Sequence, residues 1–326
     1  MLGSEHRLAG RLSLYACAIW GGIDELDDET PCDRSEPDDT GIVDWDYHQP
    51  VEEGRRPMRT TTLLTIVLLA VSPSGVQGQV LKNDQRCITG LNKAGAKLFV
   101  AQVKENERCV KLRGKGVLVG TVDDCINDDL EGKVASATDK VIGAHERCTA
   151  PPPFGATDAP TVVAAAIEQA RDHFTDLFAS PADPAIVDGN IDPAAARCQA
   201  SVSRSFVQLA NVALKGFAAC KKRGLADGSI TNETGIEDCL LDGGLGGVGK
   251  VWSKWKIASA KACADTNLDS AFPGVCTGAV DFLAFDACIT ARAKCRLCLY
   301  ANLADAIATD CDLGDDMSDN ESCPGT

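Results

Sequence analysis

The chain of 326 residues carries 47 acidic and 32 basic side chains, which gives a formal net charge of −15 at pH 7. This balance gives no overall basic footprint for nucleic acid. Aromatic residues make up only 5% of the chain, and the abundance of Ala, Leu and Val favours helices over sheets. The composition therefore predicts an all-α protein that is long enough to bury a sizeable core.

A secretion signal begins at Met58 instead of at residue 1. Residues 58–78 have the order of parts of a signal peptide, with a basic start at Arg59, an apolar run over 63–71 and a small-residue exit at 76–78. The apolar run is too short for a membrane span, which takes about 20 residues. We therefore expect 79–326 to be the mature chain, exported to the periplasm or the cell exterior, with no membrane span.

Residues 1–57 are then expected to be a mis-annotated or disordered leader. Acidic residues are dense over 24–46 and apolar residues are few, a composition typical of disorder. A true N-terminal domain is the alternative. The remaining 79–326 carry 33 acidic and 26 basic side chains, so a mildly acidic surface with no nucleic-acid partner is predicted.

Fourteen of the sixteen cysteines follow residue 78, and export favours their use in disulfides. Eight of them form two sets, with steps of 22, 16 and 23 residues in the first and of 22, 19 and 24 residues in the second. The sets are Cys87, Cys109, Cys125 and Cys148, followed by Cys198, Cys220, Cys239 and Cys263. The match predicts an internal repeat of two disulfide-stapled helical hairpins.

The first hairpin is predicted over 79–150. Apolar residues three and four apart over 88–103 indicate its first helix, which Gly114 and Gly116 should end. Thr121 and the acid three residues later are typical of a capping box. The second helix is expected over 133–147.

A Pro-rich linker with one helix is predicted over 151–192. It begins with three consecutive prolines, which form a stiff spacer. Apolar spacing then indicates a helix over 161–178.

The second hairpin is predicted over 193–272. Asp192 should cap its first helix, whose apolar stripe runs over 202–217. Gly224 is expected to end that helix. Thr234 and Glu237 repeat the capping-box pattern of the first hairpin.

The Gly-rich stretch over 243–249 imitates a phosphate-binding loop. Val251 stands where that motif requires Ser or Thr, and no strand precedes the stretch. We interpret it as a flexible join before a helix over 250–262.

Helix rise restricts which cysteines can pair. A step of 22 residues along a helix covers about 33 Å, whereas the Cα atoms of a disulfide lie within about 7 Å of each other. Antiparallel helices would bring the outer cysteines together and the inner ones together, one of three possible pairings in each set. The predicted disulfides are Cys87–Cys148, Cys109–Cys125, Cys198–Cys263 and Cys220–Cys239.

The last segment, 273–326, is predicted to be a Cys-rich helical segment with an acidic tail. One or two helices are expected over 279–309. Six further cysteines are expected to form disulfides of undetermined pairing: Cys276, Cys288, Cys295, Cys298, Cys311 and Cys323. Zinc held by the last four is the alternative. Acidic residues over 310–321 resemble a calcium loop, but they lack its central Gly, which favours a solvated tail.

Three parts of the sequence share a frame with a known group of proteins. They are Lys93-Ala94-Gly95-Ala96-Lys97 between Cys87 and Cys109, Gly132-Lys133 after Cys125, and the run of Cys295, Cys298, Cys311 and Cys323 with Asp310, Asp312, Asp315 and Asp316. Over most of 79–326 the chain resembles exported, Cys-rich helical proteins of environmental bacteria. That group has no known activity, so the resemblance implies the architecture and no chemistry.

No catalytic constellation stands out in the sequence. Residues 79–326 contain only two histidines, His145 and His173, and no nucleophile motif. The leading hypothesis is an exported, non-catalytic helical scaffold that uses no cofactor and binds an unknown protein or small ligand. The alternatives are an extracytoplasmic calcium- or zinc-binding protein, and a hydrolase with no recognisable motif.

Expression from Met58 in an exporting host should remove residues 58–78, because a signal peptide is cleaved during export. Intact-mass analysis of the exported protein should give a chain that begins at Gln79. A native mass that includes residues 1–57 would contradict the expected start.

Overall fold

The computed structural model describes residues 80–316 and Cys323. The leader, the signal-like segment and most of the acidic tail lie outside the described residues. Within the described residues the chain is helical and has no strands, which confirms the predicted all-α class.

The helices follow one another with short connections. In chain order they are α1 Lys82–Gly114, α2 Val122–Asp128, α3 Lys133–His145, α4 Ala159–Phe178, α5 Pro193–Asp227, α6 Glu233–Asp238, a π-helical segment Cys239–Leu245, a 3-10 turn Gly246–Val248, α7 Gly249–Ala262, α8 Leu268–Ala271, α9 Phe282–Asp305 and α10 Cys311–Asp316.

Side-chain caps begin α2 and α5. The backbone N–H of Asp124 donates to Thr121 Oγ1 at 3.0 Å. Asp192 accepts hydrogen bonds from the next free backbone N–H groups at the start of α5, and Pro193 occupies the first turn. These caps satisfy N–H groups that have no partner within the helix, so both starts follow from the local sequence.

Helix α5 continues past Gly224 to Asp227, so the predicted end at Gly224 is wrong. A Cβ at Gly224 would lie 2.6 Å from side-chain atoms of Ile230. The glycine therefore allows close packing of the chain that follows α5. The helix instead ends before Gly228, whose φ of 80° is left-handed.

The second predicted capping box is also wrong. Asn232, and not Thr234, caps α6, and its side chain accepts from the backbone N–H of Gly235 at 3.3 Å. The Asn amide oxygen lies two residues earlier than the predicted cap and fits the same role.

The Gly-rich stretch is helical and packs closely against α5, so it is not a flexible join. It forms the end of the π-helical segment and the 3-10 turn. A Cβ at Gly216 of α5 would lie 2.1 Å from the carbonyl oxygen of Gly243. Glycine on both sides allows the two backbones to meet, which explains the composition without any phosphate.

The two long helices, α1 and α5, lie directly against each other. Helix α1 also contacts α3 and α4, and α5 also contacts the π-helical segment and α7. Aromatic side chains mark the centre of the core, where the ring of Phe99 in α1 lies 6.2 Å from that of Phe206 in α5 and 5.1 Å from that of Tyr300 in α9. Apolar residues of α4 and α9 complete this core.

Seven disulfides connect the helices, with Cα–Cα distances from 4.6 to 5.9 Å. They are Cys87–Cys148, Cys109–Cys125, Cys198–Cys263, Cys220–Cys239, Cys276–Cys288, Cys295–Cys323 and Cys298–Cys311. The first two brace α1 near its two ends, and the next two brace α5 in the same manner. The last three involve α9: Cys276–Cys288 joins it to the segment that precedes it, and the other two join it to the segment that follows it.

The loops closed by these disulfides differ in length, so their removal should have unequal effects. The double variant Cys198→Ala/Cys263→Ala opens a separation of 65 residues, and Cys276→Ala/Cys288→Ala opens one of 12. Chain entropy predicts losses of unfolding free energy of about 4 and about 3 kcal/mol. Denaturant unfolding of both variants checks the order, and a larger loss for the shorter loop would contradict it.

Candidate binding groove

The four cysteines considered as zinc ligands are bonded to one another. Cys295 pairs with Cys323, and Cys298 pairs with Cys311. An oxidised sulfur offers no thiolate to a metal. The described residues contain one close group of potential metal ligands, made of Glu105 with Cys109 and Cys125, and there too the two sulfurs are joined.

The first carboxylates of the acidic tail accept hydrogen bonds from backbone N–H groups. Asp310 accepts from the N–H of Asp312 at 3.0 Å, a contact typical of turn and cap chemistry. Asp312 accepts from the N–H of Cys323 at 3.0 Å, across 11 residues of the chain. Residues 317–322, which complete the calcium-like spacing, lie outside the described residues.

A buried ion pair joins α5 to α9. Lys221 Nζ donates to Asp305 Oδ2 at 2.5 Å, and the two side chains are only 2% and 1% exposed. Asn92 of α1 also donates to Asp305, and the ammonium lies 3.7 Å from the ring centre of Phe217. Burial lowers the pKa of Lys221 and raises that of Asp305, while each partner opposes the shift of the other. The burial places this pair out of reach of a ligand, so it serves the packing of three helices.

Arg296 gives the Cys295-x-x-Cys298 motif a structural role. Its guanidinium binds both carboxylate oxygens of Asp176 in α4, at 2.7 and 2.9 Å. It also donates to Asp172 at 3.1 Å. Such a two-point contact fixes orientation as well as distance, so the motif anchors α9 to α4.

His173 is the more buried of the two histidines, with 2% of its surface exposed. Its ring stacks on Phe206 at 3.4 Å between centroids, and neither ring nitrogen has a hydrogen-bond partner among the described residues. Burial lowers its pKa to about 3, with smaller opposing effects of Asp176, which raises it, and Arg296, which lowers it. His173 is therefore a neutral core residue at pH 7.

A groove with a volume of about 920 Å³ lies between α1 and α5. We name it the α1–α5 groove. Lys93 to Lys111 of α1 line one side, Arg204 to Ala218 of α5 line the other, and Glu131 and Lys133 lie at one end. Its floor consists of small and branched apolar side chains, namely Ala96, Val100, Ala101, Val207 and Leu214.

The groove is strongly basic, since eight of its lining residues are Lys or Arg and three are Glu. The glutamates already have partners: Glu107 pairs with Lys111, and Glu131 pairs with Arg108 and Lys133. Glu105 lies 3.8 Å from Arg108. Five cations of the groove form no ion pair within the part of the chain that the structure describes: Lys93, Lys97, Lys104, Arg204 and Lys215.

The mildly acidic composition of 79–326 does not indicate the basic character of this face. The net charge is a sum over the whole chain. Folding places a basic stripe of α1 beside basic residues of α5, so the local charge of this face is positive although the chain is acidic. The signal present in the sequence is a second helical stripe on α1, at Lys93, Lys97, Val100, Lys104 and Arg108, three and four residues apart. The buried stripe of the same helix is more apolar and gives the stronger signal in the sequence.

The chain matches no known family model, and comparison with curated proteins and with solved structures gives no match either. The resemblance seen in the cysteine frame therefore stays an expectation. The case for a function depends on the groove itself.

The burial of His173 predicts acid-sensitive stability. In the unfolded chain a histidine takes up a proton near pH 6.5, whereas His173 in the folded protein stays neutral down to a pKa of about 3. Its contribution to the unfolding free energy should fall as the pH drops from about 6.5 towards 3, by about 3 kcal/mol between pH 7 and pH 4.

His173→Phe should flatten this pH dependence, because Phe has no proton to bind and keeps the aromatic contact with Phe206. Urea unfolding at pH 7 and pH 4 measures the difference. His145→Gln, a change of the half-buried histidine at the last residue of α3, is the control and should keep the steep pH dependence. Equal pH dependence of His173→Phe and the wild type would contradict the assignment.

Proposed function

We propose that the protein is an exported, non-catalytic binding protein, and that it holds an anionic ligand with an apolar face in the α1–α5 groove. The observation that carries the proposal is a set of five cations around an apolar floor that form no ion pair with any residue the structure describes. Like charges that line the two walls of one groove repel one another, so a bound anion would relieve that repulsion.

Export is supported by the disulfides and by the signal-like segment. Seven disulfides are typical of proteins in oxidising compartments. Within the described residues no helix is both long and apolar enough to cross a bilayer. The signal-like segment at 58–78 supplies a route out of the cytoplasm.

The cysteine pattern supports binding by a preformed groove. The groove residues of α1 from Lys93 to Arg108 lie between Cys87 and Cys109, and those of α5 lie between Cys198 and Cys220. Each wall is therefore braced near both ends. A rigid site loses less conformational entropy on binding than a flexible one.

A non-catalytic role is favoured by the groove's chemistry. Its lining side chains are Lys, Arg, Glu, Asn, Gln and aliphatic residues, with no Ser, Thr, Cys or His among them. A nucleophile activated by a neighbouring base is the usual requirement for covalent hydrolysis. The lining therefore favours binding over hydrolysis.

Thermal unfolding with simple amphiphiles tests this function. Anionic amphiphiles below their micelle concentration should raise the Tm of the oxidised protein by a few degrees, since a ligand that binds only the folded state stabilises it. Cationic amphiphiles of the same chain length should not. Lys97→Glu/Lys104→Glu should abolish the shift, because it reverses two of the unpaired charges.

The control is Lys222→Glu/Lys254→Glu, which makes the same charge change at exposed positions outside the groove. It should keep the wild-type shift. If both variants lost the Tm shift equally, the shift would depend on net charge alone, which would contradict a site in the groove.

A further inference from the structure

We infer that the ligand of the α1–α5 groove is an acidic amphipathic helix of a partner protein. The inference rests on the proposed function and names the kind of ligand. It follows from three properties of the groove, namely its length, the distribution of its charge and the nature of its floor.

The groove is about as long as a medium helix. Lys93 and Lys111 are 18 residues apart on α1, which corresponds to about 27 Å, and Arg204 and Ala218 are 14 residues apart on α5, which corresponds to about 21 Å. A helix of about 14–18 residues has the same length. It could lie along the groove and pack on both walls.

The unpaired cations lie along the whole groove. Lys93, Lys97 and Lys104 follow one rim over three helical turns, and Arg204 and Lys215 lie on the opposite rim. A long-chain carboxylate has a single charge at one end and would leave most of these cations unpaired. Acidic residues three and four apart on both flanks of a helix would pair with both rims.

The floor distinguishes a helix from other polyanions. Ala96, Val100 and Ala101 of α1 and Val207 and Leu214 of α5 are apolar, and the alanines are small enough to let another helix approach. Nucleic acids and sulfated sugars present charged backbones without an apolar stripe. An amphipathic helix presents an apolar face between polar flanks, as in other helix-in-groove complexes.

A second copy of this chain is a poor occupant. A two-fold contact through the groove would place Lys97 and Lys104 of each copy near the same basic rims of the other. Like charges brought together in an interface are unfavourable. The charge of the groove therefore favours a partner of opposite sign.

Fluorescence anisotropy of labelled peptides tests the inference with the full oxidised protein. The probe is a peptide of about 18 residues with Leu and Ala on one helical face and Glu on the flanks. The comparison peptides are its scrambled form, which has the same composition and charge, and a form with Lys in place of Glu. Competitors are palmitate and a single-stranded oligonucleotide.

The acidic amphipathic peptide should bind at least ten-fold more tightly than its scrambled form, and the Lys form should not bind. Lys97→Glu/Lys104→Glu should weaken its binding at least ten-fold, while Lys222→Glu/Lys254→Glu should change it less than two-fold. Higher salt should weaken binding, because the paired charges are near the surface.

The remaining outcomes separate the two proposals. The inference of a helical ligand would be wrong if the scrambled peptide bound as tightly as the amphipathic one. It would also be wrong if palmitate or the oligonucleotide bound in the groove more tightly than the peptide. Either result would leave the proposed anion-binding groove in place. Absence of binding by every anionic probe would overturn both the helix and the proposed function.

Discussion

The direct contact between α1 and α5 is the constraint on which the remaining structure depends. Each helix is more than thirty residues long and buries one stripe against the other and further stripes against shorter helices. Phe99 and Phe206 meet at this contact, and near the end of α1 a Cβ at Gly114 would lie 3.5 Å from Ala196 of α5. Because the two helices share one core, the α1–α5 groove is bounded by walls from both cysteine sets.

Buried charge positions the helices around this contact. Lys221 and Asp305 join α5 to α9, and Arg296 joins α9 to α4 through Asp176. A buried ion pair contributes little net stability, because desolvation offsets the attraction, yet loss of one partner leaves an uncompensated charge. We therefore attribute to these pairs a role in selecting one register of α9 over others, a role that apolar contacts alone specify less sharply.

The sequence predicts the local features of the fold better than the tertiary ones. Helix α4 and the caps at Thr121 and Asp192 depend on residues close together in the chain, and their patterns indicated them. The predicted helix end at Gly224 was wrong because the glycine makes room for Ile230, which lies beyond the end of α5 and packs back against the helix. The α1–α5 groove could not be predicted from the sequence, because a charged stripe on α1 indicates a groove only when the helix packed beside it is known. A mostly basic helix stripe resembles any solvated face until a second helix supplies the other wall.

The position of the disulfides connects stability to recognition. Disulfides between distant residues stabilise a fold mainly by lowering the conformational entropy of the unfolded chain. For stability alone, they could therefore lie at any place where two helices meet. In this protein four of them lie near the ends of the groove walls, at Cys87, Cys109, Cys198 and Cys220. An amphipathic helix that folds on binding loses conformational entropy. A flexible groove would also lose conformational entropy on binding, and the two losses would add. Under the proposed function, disulfides near both ends of each wall would limit that second loss.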